Sequence, residues 1–363
     1  MKKIAKRKNH HIGLVYSIFR EILFLCLLFV GGGVAGFFLV YFFRVPNSDD
    51  LLERPLAETS IIYDRTGEEV LYEIHGEENR KILSHEDIPL LVRQATIAAE
   101  DDAYYRHFGF DPVSIFRAFL KNMEEGEIVQ GGSTITQQVA RIFYLDREQS
   151  FARKLNEIVL AFKIDRQYPK EAILDLYLNA IPYGSNAYGI QAASEVFFGK
   201  NAKDLSVDEA AFLAALPKAT TALSPYRAPN TALALRQKQI IERMAELGLI
   251  REDQKVEALA RDTFSYLRPR RDSIVAPHFV VSVLEELEKR YGRETLETGG
   301  LRIKTTLDLA TQDKAEASII RGVERNRARN AGNAALVAVE VETGEVMALV
   351  GSRDYFDTEI DGQ

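Results

Sequence analysis

The sequence predicts a mainly α protein that follows one N-terminal transmembrane helix and leads into the start of an α/β unit. Three observations predict it. Residues 22–43 form a run of 22 residues without a charged side chain. Helical periodicity dominates from Asp87 to Gly248, and the pattern turns to mixed helix and strand beyond residue 263.

The uncharged run is long enough to cross a hydrocarbon core of roughly 30 Å as a helix. Lys2, Lys3, Lys6, Arg7, Lys8 and Arg20 precede it, and Asp49, Asp50 and Glu53 follow. The positive-inside rule then makes residues 1–21 a cytoplasmic basic tail and puts everything after Arg44 outside. A cleaved signal peptide is the alternative, but its apolar region usually has only about 7–15 residues. Gly32 and Gly36 have the GxxxG spacing of closely packed helices, a spacing that small residues also produce commonly in spans.

After the anchor, residues 59–63 and 70–74 alternate as a hairpin would around Arg65, Thr66 and Gly67. Helices follow. Leu91, Ala95 and Ala98 share one face, as do Ile135, Val139, Ile142 and Phe143, and then Leu155, Val159 and Phe162. Thr134 with Gln137, and Ser206 with Glu209, have capping-box spacing, and Gly248 is placed to close a helix running from Asn230. Arg268, Pro269, Arg270 and Arg271 mark an exposed connection. Beyond it the pattern predicts a helix over 277–291, an extended run over 301–307, a helix over 308–327, and a hairpin of 335–341 with 345–350 around Thr343 and Gly344. A lone hairpin is marginal by itself, so this last unit is expected to be incomplete.

Composition excludes several classes. A formal net charge of -7 argues against nucleic acid as a partner, which calls for a basic surface. Cys26 is the single cysteine, so neither an intrachain disulfide nor a thiolate zinc site can form. The 6 histidines show no metal-ligand spacing.

Three segments carry chemistry. The first, E-D-D-A-Y-Y-R-H-F-G-F-D at 100–111, puts Glu100 at the C-terminal end of an alanine-rich helix. The macrodipole there and the like charges of Asp101 and Asp102 both push a carboxyl pKa upward, as a general base near neutral pH requires. A solvated acidic helix end is the plainer alternative, and His107 serves equally well as a loop tie. The second, G-G-S-T-I-T-Q-Q at 131–138, leads two glycines into a capped helix whose free N–H groups suit a phosphate, although glycine-rich helix starts are common. The third, R-K-L-N-E at 153–157, sits in the first turns of a helix capped by Ser150. An intrahelical ion pair worth about 0.3–0.5 kcal/mol explains Arg153, Lys154 and Glu157 only poorly, because cations at a helix start oppose the dipole. A pyrophosphate beside that helix start explains them better, with Arg153 able to grip oxygens in a fork.

Taken in order, these segments resemble the peptidoglycan glycosyltransferase domain of class A penicillin-binding proteins and monofunctional transglycosylases. Residues 100–111, 131–138 and 153–157 are similar to its first three motifs, K-E-A-I-L-D-L-Y-L-N at 170–179 to the fourth, and 189–200 with 209–217 to the region that follows. The likeness spans about residues 60–248. It implies a lysozyme-like α fold over 44–262 with a mobile, partly membrane-embedded subregion. It further implies polymerisation of lipid II into β-1,4-linked glycan with release of undecaprenyl pyrophosphate. On this resemblance Glu100 deprotonates the 4-hydroxyl of the acceptor sugar, and that oxygen attacks the anomeric carbon of the growing chain with inversion. Glu157 becomes the second catalytic carboxylate, organising the pyrophosphate through a divalent cation (Mg or Mn) or the nearby cations; no other cofactor is implied. Ser133, Gln137, Arg153 and Lys154 line the pyrophosphate pocket, Asp101 and His107 support the first motif, and Thr134, Gln138 and Arg141 complete the substrate-binding set. Two carboxylates far apart in the chain suit an inverting geometry.

Three positions depart from the family pattern. Tyr104 stands where phenylalanine is usual, Asp175 where glutamate is usual, and Arg141 where lysine is common. Residues 334–363, with V-E-T-G-E-V-M-A-L-V-G-S-R-D-Y, resemble the entry to a transpeptidase domain, and 263–333 are expected to link it to the glycosyltransferase. Neither Ser-x-x-Lys nor Lys-Thr-Gly occurs in the chain, so peptide crosslinking is expected only of a longer parent. The implied setting is the outer face of a bacterial cytoplasmic membrane, with lipid II and the growing glycan as partners and a cell-wall synthesis complex or homodimer as the candidate assembly. The rival readings are a lytic, glycan-cleaving enzyme on a similar fold and a catalytically silent membrane scaffold.

Overall fold

The computed structural model describes residues 50–357 except 55, 75, 77, 126–131, 146–149, 221–222, 224, 227–230 and 269–273, together with 24, 32 and 36. The expected span therefore lies outside the described residues apart from Phe24, Gly32 and Gly36, which are helical and exposed. Among the described residues no helix is long and apolar enough to cross a membrane.

The middle of the chain is helical, and its signals act where the sequence places them. Helix α1 (Leu90–Glu100) starts after Pro89 and α2 (Pro112–Glu125) begins with proline. Helix α3 (Ile135–Tyr144) opens with a complete capping box: Thr134 Oγ1 accepts from the Gln137 N–H at 3.1 Å, and the Gln137 side chain accepts from the Thr134 N–H at 2.9 Å. Ser150 caps α4 (Phe151–Gln167) by accepting from the Arg153 N–H at 3.1 Å. Helix α5 (Lys170–Ala180) buries Ile173, Leu174, Tyr177 and Leu178, one stripe at helical spacing. Helix α6 (Ile190–Phe198) stops at left-handed Gly199, α7 (Val207–Ala215) follows Ser206, α8 (Thr231–Glu246) ends before left-handed Gly248, and α9 (Glu252–Ala260) succeeds it.

Helix α7 is buried from Asp208 to Ala215, apolar on nearly every side, and so forms the axis on which α1 and α8 pack. One hydrophobic core joins these elements, with Tyr104, Tyr177, Tyr183, Phe197 and Phe212 as its largest fully buried side chains. Tyr104, the departure from phenylalanine, is accommodated because its hydroxyl donates to the Lys170 carbonyl at 2.7 Å.

The expected hairpin forms from β1 (Ser60–Tyr63) and β2 (Val70–Ile74), but it also gains a third strand. Strand β6 (Arg302–Lys304) pairs parallel to β1, Ile61 opposite Arg302 and Tyr63 opposite Lys304. The apolar side chains of the hairpin, Ile62, Leu71 and Ile74, pack with Phe279 and Val280 of α10 (Pro277–Tyr291), Leu296 of α11 (Arg293–Thr298) and Leu307. Residues 263–333, expected to connect two domains, thus also complete the sheet begun by β1 and β2. A small sheet of β3 (Asn79–Arg80), β5 (Ala187–Tyr188) and β4 (Pro182–Gly184) ties the segment after the hairpin to the helical core. Finally α12 (Leu309–Asn326) covers the hairpin of β7 (Leu336–Val339) and β8 (Val346–Val350) through Ala315, Ile319 and Val323, which supplies the support that a lone hairpin lacks.

Candidate active site

Helix α1 delivers Glu100 as its last residue. The chain leaves the helix at Asp101, whose φ of -161° is extended while its N–H still reaches the Ile97 carbonyl at 3.0 Å. The three consecutive acids then point to different partners. Asp101 receives the His107 ring Nε2 at 3.0 and 2.9 Å and the backbone N–H of Ile135 at 3.1 Å. Asp102 pairs with Arg243 of α8. Glu100 accepts from Arg236 of α8 on Oε1 at 2.9 Å and from Gln138 of α3 on Oε2 at 2.8 Å.

These contacts correct two expectations. The Glu100 carboxyl is indeed pushed above its ordinary value, but burial is the principal cause. Arg236, Gln138 and Lys218 oppose that shift, and Asp101 and Asp102 are turned to their own donors rather than against it. The start of α3, expected to offer free N–H groups to a phosphate, already holds an anion, because Asp101 occupies the Ile135 N–H and the Thr134 hydroxyl occupies that of Gln137. Gly131 lies outside the described residues. Gly132 serves packing, since a Cβ there would come within 3.0 Å of the Ile115 backbone on α2.

The first two segments are locked together at a second point. Thr134 Oγ1 donates to the Gly109 carbonyl at 2.6 Å, and Gly109, with φ +82°, sits so close to α4 that a Cβ would lie 2.2 Å from the Ala161 carbonyl oxygen.

A cleft of about 390 Å³ opens over Glu100. It is lined by the acids Glu100, Asp101, Asp102 and Asp111, by the cations Arg117, Arg141, Lys218 and Arg236, and by Ser133, Thr134 and Gln138. Burial and the neighbouring Arg236 hold the Lys218 ammonium below its usual pKa. Six of the residues expected from the sequence therefore share this wall: Glu100, Asp101, Ser133, Thr134, Gln138 and Arg141.

His107, Gln137, Arg153, Lys154 and Glu157 do not line the cleft. His107 and Gln137 are buried beneath it as supports for Asp101 and Thr134. The expectation that Glu157 faces Glu100 across the opening is not met. Glu157 is 1% exposed and pairs with Lys154, and the Lys154 ammonium donates onward to the cleft residue Ser133 at 2.6 Å. One turn of α4 explains the arrangement, because positions 154 and 157 lie on the same face. This set does not fit a divalent cation, since an ammonium already occupies the Glu157 carboxylate. Among the described residues no group of three or more His, Cys, Asp or Glu side chains is placed to hold a metal.

Sequence reasoning missed Arg117, Lys218, Arg236 and Arg243. The only available signal was the spacing of Arg236 and Arg243, seven residues or two helical turns apart on α8, and nothing in it pointed 136 residues back to Glu100.

Beside the cleft, Phe108, Val113, Phe116 and Met123 are between 62 and 70% exposed, on and just before the helix whose Ser114 and Arg117 line the opening.

The transglycosylase family profile matches residues 67–245. Penicillin-binding protein 1A of Aquifex aeolicus is 40% identical over 298 residues, covering 82% of this chain and 40% of the relative. Penicillin-binding protein 2D of Bacillus subtilis is 38% identical over 307 residues, covering 83% and 43%. The chain thus spans about two fifths of the length of the curated relatives it matches. A crystal structure of penicillin-binding protein 1A from Haemophilus influenzae aligns with 85% of this chain and 34% of its own at 20% identity, with a TM-score of 0.41. Residues 67–245, which contain the acid turn, the capped α3 and the arginines that meet over Glu100, form a transglycosylase domain.

Proposed function

We propose that this chain is an inverting peptidoglycan glycosyltransferase that polymerises lipid II in bacterial cell wall synthesis. The observation that carries the proposal is Glu100 itself, a carboxyl with a raised pKa at the wall of a cleft that is also lined by Arg117, Arg141, Lys218 and Arg236. Such a carboxyl can take a proton near neutral pH. It receives the 4-hydroxyl proton of the acceptor sugar as that oxygen bonds to the anomeric carbon of the growing chain. The bond from that carbon to the pyrophosphate oxygen breaks, and its electron pair leaves with undecaprenyl pyrophosphate. Arg117, Arg141 and Lys218 face the charge that develops on the departing group.

The third segment acts one layer behind. Glu157 fixes Lys154, and Lys154 orients Ser133 on the wall. Arg153, on the preceding position of α4, contributes positive potential from the same helix start. The charge on the leaving group is met by side-chain cations.

A lipid-linked substrate requires the cleft to stand at a bilayer. The uncharged run 22–43 supplies a single span with its N-terminus in the cytoplasm, and exposed Phe108, Val113, Phe116 and Met123 supply an apolar rim on the outer side. Residues 44–262 then form the glycosyltransferase unit, and 334–363 belong to the start of a transpeptidase unit. A homodimer or a cell-wall synthesis complex is the assembly in which such a span would act.

The test is the purified chain with lipid II in detergent or vesicles, alongside Glu100→Gln. Glycan polymer from the wild type and none from the variant supports the proposal. Soluble fragments released from finished glycan, without polymer, would replace it with lytic cleavage, and full complementation by Glu100→Gln in cells would replace it with a scaffold.

A further inference from the structure

Helix α8 reaches back to the acid turn with two arginines. Arg236 and Arg243 are two helical turns apart and therefore on one face, and they hold Glu100 and Asp102 respectively. Arg236 is itself tied down, since its Nε donates to the Ala215 carbonyl at 3.1 Å at the end of α7, and its side chain is only 18% exposed. Its planar fork thus spans two fixed acceptors, a carbonyl at the end of one helix and a carboxylate at the end of another, a geometry that a lysine cannot reproduce. Gln138 takes the other carboxylate oxygen from the opposite side. A carboxylate oxygen has two acceptor sites, so each Glu100 oxygen keeps one for an incoming hydroxyl.

We infer that Arg236 is a positioning residue for Glu100: it sets the plane of the carboxylate and keeps it ionised, so that the remaining acceptor site faces the cleft. The inference rests on Glu100 being the base of the proposed reaction. The charged and titratable groups around Glu100 are Arg236 of α8, Lys218 after α7, Tyr177 of α5 and Tyr183 of β4, with Arg141 and Asp102 also lining the cleft. Of the cations among them, Arg236 is the one hydrogen-bonded to the carboxylate. Burial favours the neutral acid, and the adjacent half-buried guanidinium opposes that shift.

The experiment compares wild type, Arg236→Gln and Arg236→Lys in lipid II polymerisation across pH, together with a carbon-13 NMR titration of the Glu100 carboxyl. Arg236→Gln is expected to move the acid limb of kcat upward by about one pH unit, a tenfold loss at a pH on that limb, with KM changed by less than about threefold. Arg236→Lys keeps the charge and loses the fork, so its acid limb stays in place while kcat falls by about tenfold. The carboxyl titration of Glu100 shifts upward in Arg236→Gln by the same amount as the limb. An unmoved carboxyl titration in Arg236→Gln overturns the inference whatever the substrate proves to be. So does a raised KM with unchanged kcat in both variants, which would make Arg236 a substrate contact. If Arg236→Gln fails to fold by thermal unfolding, wild-type kcat and KM in Arg236→Lys overturn it, and a lowered kcat with an unmoved limb upholds it. Absence of polymer from the wild type strikes at the proposed function and leaves the titration to decide the role of Arg236.

Discussion

The carboxylate of Asp101 accepts the backbone N–H of Ile135 at 3.1 Å, joining the end of α1 to the first turn of α3. The same carboxylate holds the His107 ring, so one buried anion ties the acid turn, the loop after it and the capped helix into a single block. Glu100 and Gln138 owe their mutual placement to that block.

Asp101→Ala should therefore lower stability by about 1–3 kcal/mol for each buried donor left unpaired. Urea unfolding of the purified chain measures this. A midpoint equal to that of the wild type, with an unchanged slope, would show that the Ile135 and His107 donors find other acceptors.

Glu100→Gln should reduce polymerisation by about 10²- to 10⁴-fold, the usual contribution of a positioned base. In the wild type, kcat should rise with pH through a value above the ordinary glutamate range of about 4.3, because burial raises the Glu100 carboxyl. Stability runs the other way. The folded state holds this proton more tightly than the unfolded chain, so unfolding free energy falls as pH rises from the ordinary glutamate value through the raised one. Glu100→Gln removes that slope, and thermal unfolding of both proteins at several pH values checks it.

Gly109→Ala combines two faults, a left-handed φ of +82° and a Cβ 2.2 Å from the Ala161 carbonyl oxygen. The loss should reach about 1–3 kcal/mol, as overpacking usually does. Because Gly109 also accepts the Thr134 hydroxyl, polymerisation should fall along with the melting temperature. A variant with wild-type melting would mean that the loop moves off α4 without cost.

Tyr104→Phe installs the residue usual in the family and deletes the hydroxyl that donates to the Lys170 carbonyl. A loss of about 0.5–1.5 kcal/mol is expected, with activity retained, since the ring keeps its place in the core. Chemical denaturation beside a lipid II assay separates the two effects.

The helical domain could be read from its own residues because its punctuation is local. Thr134, Ser150 and Gly248 each act within a few positions of themselves, and Ile135 and Val139 are buried on the face that their spacing marks. The cleft was half legible. Glu100, Ser133, Thr134, Gln138 and Arg141 belong to compact segments that announce a site, whereas Arg236 sits in an ordinary amphipathic helix and acquires its role only through a contact 136 residues away. Glu157 was misplaced for a related reason: the sequence reading set an ion pair with Lys154 aside in favour of a pyrophosphate contact, whereas that pair forms and Glu157 is buried in it. The strand Arg302–Lys304 was foreseen as extended, but its partner was not, because three residues carry no record of a neighbour about 240 positions away.

That distant pairing governs how the chain assembles on the ribosome. Ile61 to Tyr63 leave the exit tunnel long before Arg302 to Lys304 exist, and at about 5–20 residues per second the interval is on the order of 10–50 s. During it β1 and β2 stand with one edge bare while α1 to α9 have time to fold. The β2-β1-β6 sheet thus closes only after the whole helical domain has been made, and a chain halted in synthesis before residue 302 would carry that domain beside an unfinished strand edge.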